Sequence, residues 1–243
     1  MNGARIETFG NITLFGDSIP KGYTTKNGKI EKIGTDAVSL LERKYGFSVD
    51  NRSVYGQTVG RLYARRAVDR YLEEETAGGT PRTVVFCLGG NDADYDWAAV
   101  AARPDAPHEP KTPLPEFKRE LNELVRKLKN AGVKVALTNL PPVDSSRFFE
   151  RVICRAADGE KVLRFFNGDV TNINRHQETY NLAVIETAVR NECRVIDIRT
   201  PFLMQIDYLR NYSDDGIHPN AAGHKVIAES VESFIDALPA RKF

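Results

Sequence analysis

Gly16-Asp17-Ser18-Ile19 closes the apolar run Ile12-Thr13-Leu14-Phe15 with a small residue, an acid and a hydroxyl. A strand with that ending delivers a serine to the carboxyl edge of a sheet, where open parallel sheets place their ligand crevice. The plainer alternative is a turn serine that caps the next helix. Near the other end of the chain, Asp214-Asp215-Gly216-Ile217-His218-Pro219-Asn220 sets a carboxylate and an imidazole within one turn of each other. A hydrolytic serine needs a base to take its proton and an acid to orient that base, and Asp215 with His218 supplies both. Alone, this pair is equally a capping acid followed by an exposed histidine, with Pro219 opening a helix. Attack on an ester also needs donors aimed at the oxyanion of a tetrahedral intermediate. The backbone N–H groups of Ser18 and Gly56 with the side-chain amide of Asn91, in Gly89-Gly90-Asn91-Asp92, would make three.

Elements must bring these clusters to one rim. Apolar runs at 12–15, 47–51, 83–88, 133–138 and 194–198 read as strands, the run at 83–88 being apolar on consecutive positions, as in a central strand covered on both faces. Helical spacing appears over 33–45, 59–75, 117–130, 175–191 and 220–238, with Gly46 and Gly132 as stops. Five strands alternating with helices predict right-handed crossovers and a three-layer α/β/α sheet. Ser18, Gly56, Asn91 and the Asp215/His218 pair then all fall at, or just beyond, carboxyl ends of strands.

The segments between are uneven. Residues 20–29, polar and rich in breakers, read as a loop over the sheet edge, and Gly78-Gly79-Thr80-Pro81 breaks the chain. Residues 93–115 form a proline-dotted loop too long for a plain connection, and 143–173 is a mixed, charged insertion, a lid or small subdomain without an assignable pattern. No repeat or linker divides the 243 residues, so one domain over 1–243 is expected.

Composition narrows the partners. A net charge of +1 gives no electrostatic reason for nucleic acid or an anionic membrane surface. Cys87, Cys154 and Cys193 are an odd, widely spaced set, which points to reduced thiols and to neither a disulfide framework nor a zinc site. The amino terminus MNGARIETFGN lacks the apolar core of a signal peptide and no run reaches membrane-spanning length, so a cytoplasmic protein is expected.

With these blocks in place, the chain from Gly16 to Asn220 resembles the SGNH hydrolases, the GDSL-type lipase/esterase superfamily. The resemblance implies Ser18 as nucleophile, Gly56 and Asn91 as oxyanion-hole partners of Ser18, and Asp215 and His218 as orienter and base. It also implies a flavodoxin-like sheet of order 2-1-3-4-5. Ile19 replaces the usual leucine, and the second block carries Ser53 and Tyr55 where smaller or different residues are common. An α/β-hydrolase elbow is excluded because Pro20 stands where its final glycine belongs. A flavodoxin-type phosphate loop is disfavoured because Asp17 would repel the phosphate, so no cofactor is expected, and no metal.

Asp17, Tyr55, Tyr95 and Trp97 are the candidates for substrate contact, the last two as aromatics on the long loop after Asn91. His108, His176 and His224 lie outside the motif and read as surface or structural. Cys87, inside a predicted core strand, reads as a small buried apolar residue. The expected substrate is a small ester with a short acyl group, of the O-acetyl carbohydrate type. Longer acyl chains, as in a lipase, lysophospholipase or thioesterase, are the alternative, and a glycan-binding module without turnover is the reading of another class. Sequence leaves hydrolysis versus acyl transfer, and the oligomeric state, open.

Overall fold

The computed structural model describes residues 10–74 and 82–238; the segment 1–9, Glu75 and the Gly78-Gly79-Thr80-Pro81 break lie outside the described residues. The chain starts with β1 (Asn11–Gly16), a hairpin of β2 (Tyr23–Lys26) and β3 (Lys29–Lys32), α1 (Ala37–Tyr45), β4 (Val49–Asn51), α2 (Val59–Ala64) and α3 (Ala67–Glu74). It continues with β5 (Arg82–Cys87), α4 (Trp97–Ala102), α5 (Leu114–Asn130) and β6 (Lys134–Thr138). Short helical pieces follow, namely α6 (Ser145–Phe148), a π-helical turn (Phe149–Ile153), α7 (Cys154–Ala156) and α8 (Gly159–Phe165). The last stretch holds α9 (Asn172–Arg190), β7 (Arg194–Ile196), α10 (Thr200–Leu203), a 3₁₀ turn (Tyr208–Asn211) and α11 (Ala221–Ala237).

The main sheet has five parallel strands in the order β4-β1-β5-β6-β7, which in strand sequence is 2-1-3-4-5 as expected. β1 is an interior strand beside the central β5, with Gly16 paired to Cys87 of β5 and Leu14 to Asn51 of β4. The loops that follow these three strands therefore share one rim. Alternation along the strands sends Phe15, Val84, Phe86 and Leu137 to one face, where they pack on α2, α3, α5 and α9. On α5, Phe117, Leu121, Leu124 and Leu128 recur at helical spacing and are buried, each contributing roughly 1.5–3 kcal/mol. Ala136, Ile196 and Ile198 face α1 and α11 on the other side, completing three layers.

Element boundaries differ from the sequence reading for local reasons. The segment 20–29 is not all loop: Thr24 and Thr25 lie in β2, and Asn27 and Gly28, both at positive φ, make the tight turn into β3. α1 starts at Ala37 because the Asp36 side chain caps it through Ser39 N. The helix expected over 59–75 breaks at Arg66, whose φ of 52° stops α2 from running into α3. α4, capped by Asp96, lies within the long 93–115 loop. The insertion at 143–173 is helical throughout much of its length, in pieces too short to show a period. Its apolar side packs Phe148, Ile153, Val162 and Phe166 against Trp97 and Val100 of α4, forming a separate small core over the rim.

Candidate active site

Ser18 stands two residues past β1, and its Oγ–H donates to Nε2 of His218 at 2.8 Å. His218 Nδ1–H in turn donates to Asp215 Oδ2 at 2.6 Å. All three side chains are buried. Asp215 Oδ1 accepts from the backbone N–H of His218 (2.9 Å) and Ile217 (3.0 Å) and from Ser213 Oγ (3.0 Å), while Thr25 Oγ1 donates to Oδ2. Burial pushes the Asp215 carboxyl up, but the bonds from His218 and Thr25 outweigh it and hold the group well below the usual carboxylate range. An ionised acid beside Nδ1 fixes the tautomer that leaves Nε2 free to take a proton.

The rim is held together by the hairpin that the sequence reading passed over. Tyr23 N donates to Ser18 O at 3.0 Å, Asp214 N donates to Thr25 O at 3.3 Å, and Asn27 N donates to Asp214 Oδ2 at 2.5 Å. One short hairpin thus ties the serine loop to the loop bearing the acid and the imidazole. Asn27-Gly28 between two runs of strand-forming residues was the available signal for it. Ser213 carried no signal beyond its nearness to Asp215.

Two glycines are required by geometry. A Cβ on Gly16 would lie 2.3 Å from Pro20 Cγ and 2.8 Å from Ser53 Oγ, so the nucleophile loop and the second block close only over a bare backbone. Gly56 sits at φ 69°, a conformation that side-chained residues rarely take, and this turns the chain after Tyr55. The backbone N–H groups of Ser18 and Gly56 donate to no other acceptor among the described residues. The Asn91 amide makes two long bonds, to Asp17 Oδ2 at 3.3 Å and Gln57 O at 3.2 Å. These three donors border the same cavity as Ser18 Oγ.

That cavity, about 410 Å³, is lined by Ser18, Gly56, Asn91 and His218, and by all four residues expected to touch substrate. Their surroundings separate them. Tyr55 is exposed and stacks on the His218 ring at 6.1 Å and 16°, with Tyr23 edge-on behind it at 5.3 Å. Tyr95 is half-buried at the mouth, against Phe165 and His176. Asp17 is buried and engaged by protein groups, accepting from Ile19 N at 3.0 Å besides Asn91, so it acts as a support of the donor amide and not as a free contact. Burial pushes its carboxyl up to about 6. Trp97, 8% exposed, borders the cavity from within the insertion's core, where Phe148 and Phe166 pack against it.

His108 is half-buried and bonded to Arg103 O, and His224 is fully buried, accepting from Ala37 N at 3.3 Å and held down to about 4 by burial. Both have structural roles. His176 is half-buried and borders the cavity. Burial pushes the Cys87 thiol up to about 12, so it is no nucleophile. Among the described residues no group of three or more His, Cys, Asp or Glu could hold a metal ion, and no helix is long and apolar enough to cross a membrane.

The likenesses to known proteins follow the same blocks. Residues 14–226 match the model of the GDSL-like Lipase/Acylhydrolase family. The chain is 26% identical to the GDSL esterase/lipase At5g45920 of Arabidopsis thaliana over 224 residues, covering 90% of this chain and 83% of that protein. Among solved structures it is similar to a variant of Axe2, an acetyl-xylooligosaccharide esterase of Geobacillus stearothermophilus, with a TM-score of 0.65 and 19% identity over 98% of this chain and all of that one. It is also similar to the lipase/acylhydrolase of Enterococcus faecalis, with a TM-score of 0.62 and 18% identity over 96% and 99% of the two chains. These two structures share the fold, while the family match spans every block from the serine to the histidine. The chain belongs to the GDSL-like lipase/acylhydrolase family and is a serine ester hydrolase.

Proposed function

We propose that the chain hydrolyses short-acyl esters of carbohydrate-type alcohols through an acyl-enzyme on Ser18. The carrying observation is the unbroken relay from Ser18 Oγ to His218 Nε2 (2.8 Å) and from His218 Nδ1 to Asp215 (2.6 Å). His218 takes the serine proton as Oγ bonds to the ester carbonyl carbon. The oxyanion that develops is met by Ser18 N–H, Gly56 N–H and the Asn91 amide. His218 then returns the proton to the departing alkoxide, and the alcohol leaves. Water enters, loses a proton to His218, attacks the acyl carbonyl, and the carboxylic acid departs with Oγ reprotonated.

Three features support the short-acyl, carbohydrate-type reading: the near-neutral chain, the aromatic side chains Tyr55 and Tyr95 at the cavity mouth, and the fold likeness to an acetyl-xylooligosaccharide esterase. Longer acyl chains, as in a lipase or thioesterase, form the second reading. It is favoured by the apolar side chains Leu14, Leu41, Val85 and Phe234 that also line the cavity. A series of p-nitrophenyl esters of increasing chain length, assayed beside acetylated xylooligosaccharides, separates the two. Acetyl turned over faster than long chains supports the first, and the reverse order replaces it. Fluorophosphonate labelling of Ser18 distinguishes an enzyme from a glycan binder, which has no activated nucleophile. The unpaired cysteines support the cytoplasmic placement read from the sequence.

A further inference from the structure

A second, open depression of about 700 Å³ adjoins the catalytic cavity and shares Tyr95 and His176 with it. We infer that it is a subsite for a neutral, hydroxyl-rich sugar unit on the alcohol side of the ester, an inference that rests on the esterase reading above. One wall is aromatic: Tyr95, half-buried, meets Phe165 edge-on at 5.4 Å and the His176 ring at 5.1 Å. Rings fixed in this way give a rigid apolar surface for the C–H face of a pyranose.

The rest of the rim supplies hydrogen-bond donors that protein groups leave largely unengaged. Among the described residues, the Asn167 side chain and Asn174 Nδ2 have no partner, and Arg175 uses only Nη1, on Asn172 Oδ1 at 2.9 Å. Asn167 is held in the left-handed region at φ 54°, and the next residue, Gly168, bonds back to Leu163 O at 2.9 Å, so the amide is presented from a closed turn. Such preorganisation lowers the entropy lost on binding a flexible polyol.

Charge and polarity select the ligand class. The positive Arg175 acts on the Asp169 carboxylate, and Glu178 is held by Arg199 Nη2 at 2.5 Å and by Asn181 Nδ2 at 2.9 Å. An anionic ligand meets the Glu178 carboxylate, and a hydrocarbon chain strips water from the free donors without replacing it. Sugar hydroxyls both accept from Asn167, Asn174 and Arg175 and donate to Glu178. The volume is within the range of small-ligand sites.

The test pairs direct binding with a kinetic ratio. Xylotetraose is titrated calorimetrically into Ser18→Ala protein and into the same protein also carrying Asn167→Ala and Arg175→Ala. Otherwise wild-type enzyme, with and without that pair of substitutions, is assayed on acetylated xylotetraose and on p-nitrophenyl acetate. Binding to Ser18→Ala that weakens with the pair is expected, as is a fall of about tenfold in the ratio of kcat/KM for the oligosaccharide over that for p-nitrophenyl acetate. No heat with either xylotetraose or cellotetraose, or an unchanged ratio, overturns the subsite. Failure of the esterase reading is seen separately, as wild-type protein inert toward p-nitrophenyl acetate, and the titration still decides the subsite in that event.

Discussion

The Thr25 hydroxyl donates to Oδ2 of Asp215, the same oxygen that accepts from His218 Nδ1. The base is thus oriented by an acid that is itself oriented from a hairpin 190 positions away in the chain. Removing this hydroxyl leaves Oδ2 held by His218 Nδ1 alone and loosens the imidazole's aim at Ser18. Thr25→Val is expected to lower kcat about tenfold with KM little changed, because the lost bond is one to a charged group. Thr25→Ser keeps the hydroxyl and is expected to restore most of the rate. Steady-state kinetics of the two variants decides; equal losses in both would mean that the hairpin's packing, and not its hydroxyl, supports Asp215.

Asn91 tests the oxyanion assignment. Its amide spans Asp17 Oδ2 and Gln57 O with long bonds, which hold the group in place without using its full strength. Asn91→Ala is expected to cut kcat on the order of a hundredfold or more while leaving KM close to wild type, since the bond to the oxygen strengthens only as negative charge develops there. A large rise in KM with kcat intact would assign Asn91 to ground-state binding instead.

What could be read from the sequence follows from the range of each signal. The parallel strands were legible because apolar runs ending in Ser18, Asn91 and Thr138 span a full strand length. The catalytic blocks were legible because strand ends carry Gly, Asn and Asp/His where a plain turn needs no such set. The support of Asp215 by Thr25 was not, since a hydroxyl in a four-residue strand looks like any other threonine until the strand is folded over the histidine loop. The packing around Trp97 was not legible either. Its partners Phe148 and Phe166 come from an insertion whose helices, three to seven residues long, are too short to show periodicity.

Asp92 predicts a pH dependence of stability. It is fully buried, its Oδ1 accepts from Val59 N at 2.8 Å, and its Oδ2 has no hydrogen-bond partner. Burial pushes its carboxyl up to about 7. Because the folded group holds its proton where the unfolded one has lost it, the folded state is progressively destabilised as pH rises from about 4 to about 7, and the loss is complete above that range. Asp92→Asn keeps an acceptor for Val59 and removes the charge. It is expected to flatten the profile and to stabilise the protein above pH 7 by up to about 4 kcal/mol relative to its effect in acid. Urea midpoints at acid and mildly alkaline pH measure this; parallel profiles for the two proteins would show that Asp92 does not titrate in this range.

Trp97 is the chain's single tryptophan and sits at the centre of the insertion's core, between Phe148, Phe166 and Tyr95. Its indole Nε1 is buried without a partner, so part of the gain from burying the ring is offset by a donor stripped of water. Replacing the ring by phenylalanine removes that donor while keeping most of the apolar volume, whereas alanine leaves a void among the surrounding rings. Trp97→Phe is therefore expected to lie within about 1 kcal/mol of wild type, and Trp97→Ala to lose about 3–5 kcal/mol. Circular dichroism during urea unfolding compares all three proteins without depending on the deleted fluorophore. If the residue acts only as a contact for substrate, Trp97→Ala leaves stability unchanged and raises KM alone.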